Sequence, residues 1–121
     1  PERNWDRIFA SHPDHLAAGE IAMQAVYPDA RNEFAFPKLL EAGLEPWTVN
    51  EVWLMAHPVR THYVDTTNFI DQKIAALKAH TSQTSHMDLD EMIRNWGEII
   101  AQEGGLAESK TAEGFFVAAT G

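Results

Sequence analysis

The apolar positions of this chain recur in stretches that read as separate elements. The clearest runs over residues 88–103, where Leu89, Met92, Ile93, Trp96 and Ile100 fall on one stripe at helical spacing. Asp88 and Glu91 resemble a capping pair at its start, and Gly104-Gly105 closes it. A second helix is predicted over 68–80. Ile70, Ile74 and Leu77 stand at i, i+4 and i+7, Asn68 is available as the cap, Asp71 lies in the first turn, and Lys73 and Lys78 follow. Leu16 to Tyr27 is rich in Ala, Ile, Met and Val, so a helix over 14–27, buried on more than one side, is expected. Pro13 suits its first turn, Asp14 its cap or first-turn acid, and Pro28 its stop.

Shorter apolar runs read as strands. Val49 to Ala56 holds the continuous run Val52-Trp53-Leu54-Met55-Ala56, which suits a strand covered on both faces. His62 to Thr66 predicts a shorter strand, and Ala112 to Val117 a last one. Residues 28–48, with Pro37, Gly43 and Pro46, read as loop with a helical turn near 38–42. Residues 1–11 are polar around Trp5 and Phe9 and read as loop or a short turn. Helix, strand, strand, helix, helix, strand is an α/β order. A strand buried on both faces needs neighbours on both edges, and this chain offers few, so part of the sheet is expected to be missing.

Composition narrows the function. The 121 residues fit a single domain, and 45% hydrophobic content excludes a disordered acidic tail. Acids outnumber bases 18 to 9, for a formal charge of −9. Such an excess disfavours nucleic acid and anionic membrane, since phosphate binding needs clustered Lys and Arg. No cysteine is present, which excludes disulfide scaffolds, thiolate zinc sites and Cys nucleophiles. No apolar run approaches the ~18 residues of a membrane span, and no signal-peptide pattern occurs, so a soluble cytoplasmic protein is expected.

The densest polar group is His12-Pro13-Asp14-His15, two imidazoles and a carboxylate at a helix start. A zinc site needs about three protein ligands and an open position. This turn supplies part of such a set. The spacing is also that of a polar helix cap with two surface histidines.

Ser11-His12-Pro13-Asp14-His15-Leu16-Ala17-Ala18-Gly19 resembles the second motif of the PIG-L-type zinc-dependent de-N-acetylases, which remove N-acetyl groups from glucosamine-containing compounds. Tyr63-Val64-Asp65-Thr66-Thr67, Lys73-Ile74-Ala75-Ala76-Leu77 and Ala79-His80-Thr81-Ser82-Gln83 resemble the family's later strand, helix and H-x-S-Q segment. Ala112-Glu113-Gly114-Phe115 resembles its closing segment, so the likeness spans about residues 12 to 117. The family's first motif, an A-H-P-D-D stretch that gives zinc a His and an Asp and provides a further Asp as general base, does not occur here. The resemblance therefore implies the C-terminal half of a Rossmann-like three-layer αβα fold, with the N-terminal half of the same enzyme as partner. A start without Met at Pro1 agrees with that expectation.

Residue by residue, the resemblance implies that His15 is the third zinc ligand. It makes His12 a catalytic histidine that stabilises the oxyanion or protonates the leaving amine, and Asp14 the group that orients His12 or a ligand. A His₂Asp site also admits other divalent ions. An amino-sugar small molecule is the implied substrate, and oligomers are compatible with the sequence.

Other residues have two readings each. Asp65, at a strand end, serves the substrate or caps the following helix. His80, Ser82 and Gln83 shape the substrate pocket or satisfy helix-end carbonyls. His57 and His62 contact substrate or lie on the surface, and His86 reads as exposed linker. Trp53 and Trp96 read as core. Glu98, Glu103 and Glu108 read as a solvated face. The contrasting hypothesis for the whole chain is a non-catalytic soluble α/β binding or scaffold module.

Overall fold

The computed structural model describes residues 11–121 together with Arg3, Trp5 and Ile8. Phe9 lies outside the described residues. The elements run α1 (Pro13–Val26), a 3₁₀ turn (Asp29–Arg31), α2 (Pro37–Glu41), β1 (Glu51–Met55), β2 (His62–Asp65), a 3₁₀ turn (Thr67–Phe69), α3 (Ile70–Lys78), α4 (Thr81–Thr84), α5 (Leu89–Glu103) and β3 (Ala112–Ala119). The fold is mixed α/β. No helix among the described residues is long and apolar enough to cross a membrane. The residues gather into two compact units, one reaching to Glu51 and including Ala119–Gly121, the other Val52–Ala118.

In the second unit the strands are ordered β1-β3-β2. β2 runs antiparallel to β3, with His62 opposite Phe115 and Asp65 opposite Ala112. The expectation that β1 is covered on both faces is corrected. It is an edge strand whose residues alternate exposed and half-buried, with Trp53 44% and Met55 76% exposed. A continuous apolar run says that surface favours cover, and pairing along one edge supplies only part of it.

α5 forms where its stripe predicts. Asp88 Oδ1 accepts from Glu91 N–H at 3.3 Å and caps the first turn. At the other end Leu106 N–H reaches Ala101 O (2.9 Å) and Gly105 N–H reaches Gln102 O (3.0 Å). This is a Schellman closure, and Gly105 at φ +74° provides the left-handed residue it requires. Leu89 and Ile93 pack against Ile70 and Ile74 of α3, while Ile100 and Ala101 pack with Ala112 of β3, Tyr63 and Leu106. Between these clusters α5 comes close to the start of β3. A Cβ placed on Gly97 would stand 2.9 Å from Thr111 Cβ.

That contact explains why Trp96 is not core as expected. It is 55% exposed, beside the small residue that lets the backbones approach, and its ring lies 6.0 Å from Lys73 Nζ. Met92, on the same predicted stripe, is also exposed. Asn68 does not cap α3. It lies within the 3₁₀ turn, and α3 begins after Phe69 without a side-chain cap. Ion pairs from Lys78 to Asp90 and from Arg94 to Asp71 flank the α3–α5 contact.

In the first unit α1 begins with Pro13 at its first position, as expected. Its predicted burial on several sides is corrected, because none of its residues is buried and Ile21 is 67% exposed. The helical turn expected near 38–42 is α2. It ends in a second Schellman closure, with Leu44 N–H on Leu39 O and Gly43 N–H on Leu40 O, Gly43 taking φ +82°. Thr120 joins this unit from the far end of the sequence, its N–H donating to Asn50 O at 2.9 Å and its hydroxyl to Val49 O.

Candidate functional site

His12, Asp14 and His15 come together at the start of α1. His12 is the N-cap residue, and its carbonyl accepts from His15 N–H (3.0 Å) and Leu16 N–H (3.1 Å). Its ring also caps, since Nδ1 accepts from Asp14 N–H at 3.3 Å. Of the two roles expected for Asp14, cap or first-turn acid, the structure shows the second. Asp14 is the first-turn acid, its Oδ2 3.5 Å from His12 Nδ1, where a carboxylate complements the helix dipole. With Nδ1 taken up by an amide, the neutral ring carries its proton on Nε2. The His15 ring lies 6.0 Å from that of His12, centroid to centroid, at 60°.

These distances allow a test of fit for a metal. With metal–nitrogen bonds of about 2.0–2.1 Å and tetrahedral angles, two imidazoles on one ion have centroids about 5 Å apart. At 6.0 Å the two rings stand too far apart to share one ion as they are placed. The donor count does not suffice. Among the described residues no group of three or more His, Cys, Asp or Glu side chains is placed to hold a metal ion. The turn is exposed, with the His12 side chain 61% and the Asp14 side chain 86% accessible, while the preceding Ser11 is buried.

The other predicted residues lie in the second unit. Asp65, at the end of β2, has both oxygens occupied. Oδ1 accepts from Thr67 N–H at 2.9 Å, and Oδ2 pairs with Lys110 Nζ at 3.2 Å. Hydrogen bonding from the Thr67 side chain, then from its backbone, then from Lys110 brings the Asp65 carboxyl down to about 2. It caps the turn that leads into α3. His80 is the N-cap residue of α4 without a side-chain capping bond, and Gln83 lies within that helix. Both are exposed, and they adjoin through Gln83 N–H to His80 O at 2.9 Å. The carbonyls at the end of α3 are met instead by Thr84, whose hydroxyl donates to His80 O (3.0 Å) and Leu77 O (3.3 Å).

His57 is half-buried rather than surface-exposed. Its Nδ1 stands 2.7 Å from Val59 O and 3.1 Å from Val59 N, and its ring lies 4.4 Å from Phe116. His62 is exposed, with its ring 4.6 Å from Trp53. Trp53 also meets Phe115 at 5.5 Å, in a cross-strand contact rather than as enclosed core.

Residues without a motif proved more engaged. Glu103 was expected on a solvated face, yet its Oε2 accepts from Arg60 Nη1 at 2.7 Å and its Oε1 from the Tyr63 hydroxyl at 2.9 Å. Arg60 and Lys73, with Glu113, line a cleft of about 230 Å³ together with Met55, Trp96 and Phe115. Only their position after β1, on α3 and on β3 could have pointed to them, since none belongs to a recognisable pattern.

No model of a known protein family matches the chain, and no curated protein matches it.

Proposed function

We propose that this chain supplies the His12–Asp14–His15 part of a metal-dependent site that hydrolyses the N-acetyl group of a glucosamine-containing small molecule. The observation that carries the reading is the pairing of two imidazole rings, 6.0 Å apart on the first turn of α1, with the Nδ1 of one fixed by the backbone. His15 is the group to hold the metal, preferably zinc. A second polypeptide segment, the N-terminal half of a Rossmann-like αβα fold, supplies the remaining His and Asp. A zinc ion so held would supply Lewis acidity and a nucleophilic water near neutral pH.

The chain's own residues have separate duties. In its protonated form His12 has Nδ1–H facing Asp14 Oδ2, 3.5 Å away, which orients the ring, and its Nε2–H donates to a developing oxyanion and then passes to the leaving amine, leaving the imidazole neutral. The many large apolar side chains left exposed, Ile21 and Met55 among them, support a chain that is covered by further polypeptide.

The test uses the gene product that contains this chain. His15→Ala is expected to abolish stoichiometric zinc binding and deacetylation of an N-acetylglucosaminide, with His12→Ala lowering turnover while zinc is retained. Unchanged deacetylation in the His15 variant overturns the reading. One observation favours a second reading, a non-catalytic binding module. The second unit has its own core and the 230 Å³ cleft between α5 and the sheet. Absence of zinc binding by the wild-type protein, with cooperative folding retained, selects it.

A further inference from the structure

Two hollows among the described residues differ in charge. The smaller, in the first unit, is lined by Asp29, Glu33 and Glu45 and by no base. The cleft of about 230 Å³ in the second unit is lined by Arg60 and Lys73, with Glu113 as its one acid. In a chain of formal charge −9 a concave surface with an excess of base is the exception. Each base is held at one donor. Arg60 Nη1 donates to Glu103 Oε2 at 2.7 Å, and Lys73 Nζ to Glu113 Oε1 at 2.7 Å. Arg60 keeps Nε and Nη2 without an acceptor among the described residues. Water reaches them, since among the described residues only Arg31 has side-chain nitrogens that are both enclosed and unpartnered. Nε and Nη2 form the guanidinium edge that takes a carboxylate through two parallel N–H···O bonds.

The backbone of β3 sets Arg60 in place. A Cβ on Gly114 would overlap Arg60 Cδ, so the stem crosses the strand only where no side chain stands. The apolar wall is made by Trp96, Ile100, Phe115 and Met55. Lys73 Nζ lies 6.0 Å from the centre of the Trp96 ring, so positive charge and an open aromatic face adjoin. A few placed donors beside aromatic walls are the make-up of small-ligand sites. A cavity of about 150 Å³ takes benzene. The cleft, at about 230 Å³, has room for one such ring with a short acidic group. With two bases against one acid, a single negative charge is the complement, and a phosphate dianion exceeds it.

We propose that this cleft binds a small aromatic monocarboxylate, with its ring against Trp96, its carboxylate on the free edge of Arg60, and Lys73 adding its charge. Every residue invoked belongs to the second unit. The inference does not depend on the metal chemistry proposed above.

Calorimetry and nuclear magnetic resonance shift mapping with benzoate, on the protein that contains this chain, test it. Saturable binding with Kd on the order of 1 mM is expected for a ligand of this size. The shifts should centre on the Trp96 indole N–H and the amides of Gly97 and Gly114. Benzylamine, the same ring with the opposite charge, and acetate, the same charge without a ring, should each bind about tenfold more weakly or worse. Arg60→Gln is expected to weaken benzoate about tenfold or more, and Trp96→Ala, at an exposed position, about threefold to tenfold. Glu113→Gln removes the one acid of the lining and should tighten benzoate about threefold, a gain that loss of fold does not produce. Should Arg60→Gln fail to fold for want of its tie to Glu103, Trp96→Ala and Glu113→Gln decide. Absence of saturable binding, shifts centred elsewhere, or benzylamine bound as well as benzoate overturns the proposal. So does an affinity that Trp96→Ala leaves unchanged, or one that Glu113→Gln fails to raise.

Discussion

The Tyr63 hydroxyl donates to Glu103 Oε1 at 2.9 Å and ties β2 to the last turn of α5. Arg60 Nη1 holds the other oxygen at 2.7 Å. The Arg60 hydrogen bond, followed by that of Tyr63, keeps the Glu103 carboxyl below its ordinary value. Desolvation, reinforced by the hydrogen bond to Glu103, raises the Tyr63 phenol. In Glu103→Gln the phenol should therefore ionise at lower pH than in the wild type. Ultraviolet titration of the phenols, compared between variant and wild type, can follow this.

Asp65 contributes to the acid limit of stability together with Asp90 and Glu103, whose carboxyls are also lowered. Its folded-state value, about 2, lies below the ordinary 3.8. A depressed carboxyl favours folding when ionised, so its contribution is full above pH 4 to 5 and is lost as the pH falls from about 4 toward 2. Tyr63 acts with opposite sign, because its phenol is raised. Its contribution is full below pH 10 and is lost as the pH rises beyond. Asp65→Asn should reduce the acid slope of the thermal midpoint while lowering its value at neutral pH.

The α3–α5 contact is the part of the core least able to tolerate a void. Ile74 is 3% exposed and packs with Ile70, Leu89 and Ile93. Ile74→Ala should cost about 2–5 kcal/mol in urea unfolding. Trp96→Ala, at a 55% exposed position, should cost under about 1.5 kcal/mol despite the larger deletion. Equal losses at the two positions would show that Trp96 is buried in solution.

Both ends of α5 are set by single residues. Asp88→Ala removes the acceptor of Glu91 N–H and should cost about 1 kcal/mol. Gly105→Ala places a side chain at φ +74° and should cost about 1–2 kcal/mol. Hydrogen exchange should show each loss first at its own end of the helix.

Periodicity and caps made α5 legible, because Asp88, the stripe of Leu89 and Ile93, and Gly105 all act locally. α3 was legible in its apolar face but not in its start, because Asp65 and Thr67 form a turn that relieves Asn68 of the cap. β1 misled for another reason. Its run of apolar residues records an affinity for cover and not the number of neighbours present. The His12–His15 group could be found by composition at a helix start. The Arg60–Tyr63–Glu103 cluster leaves no motif, because its members come from distant parts of the chain.

The hydrogen bonds of Thr120 to Asn50 and Val49 carry a consequence for the order of folding. They close a loop of some seventy residues, which contains the whole second unit. Long-range closures of this kind form late, after the segments between them have shortened the path by folding. During synthesis the first unit leaves the ribosome before the second, yet it gains its last contacts only after the second has been made in full. A protein that folds in this sequence completes the Val49–Asn50 end of its first unit last.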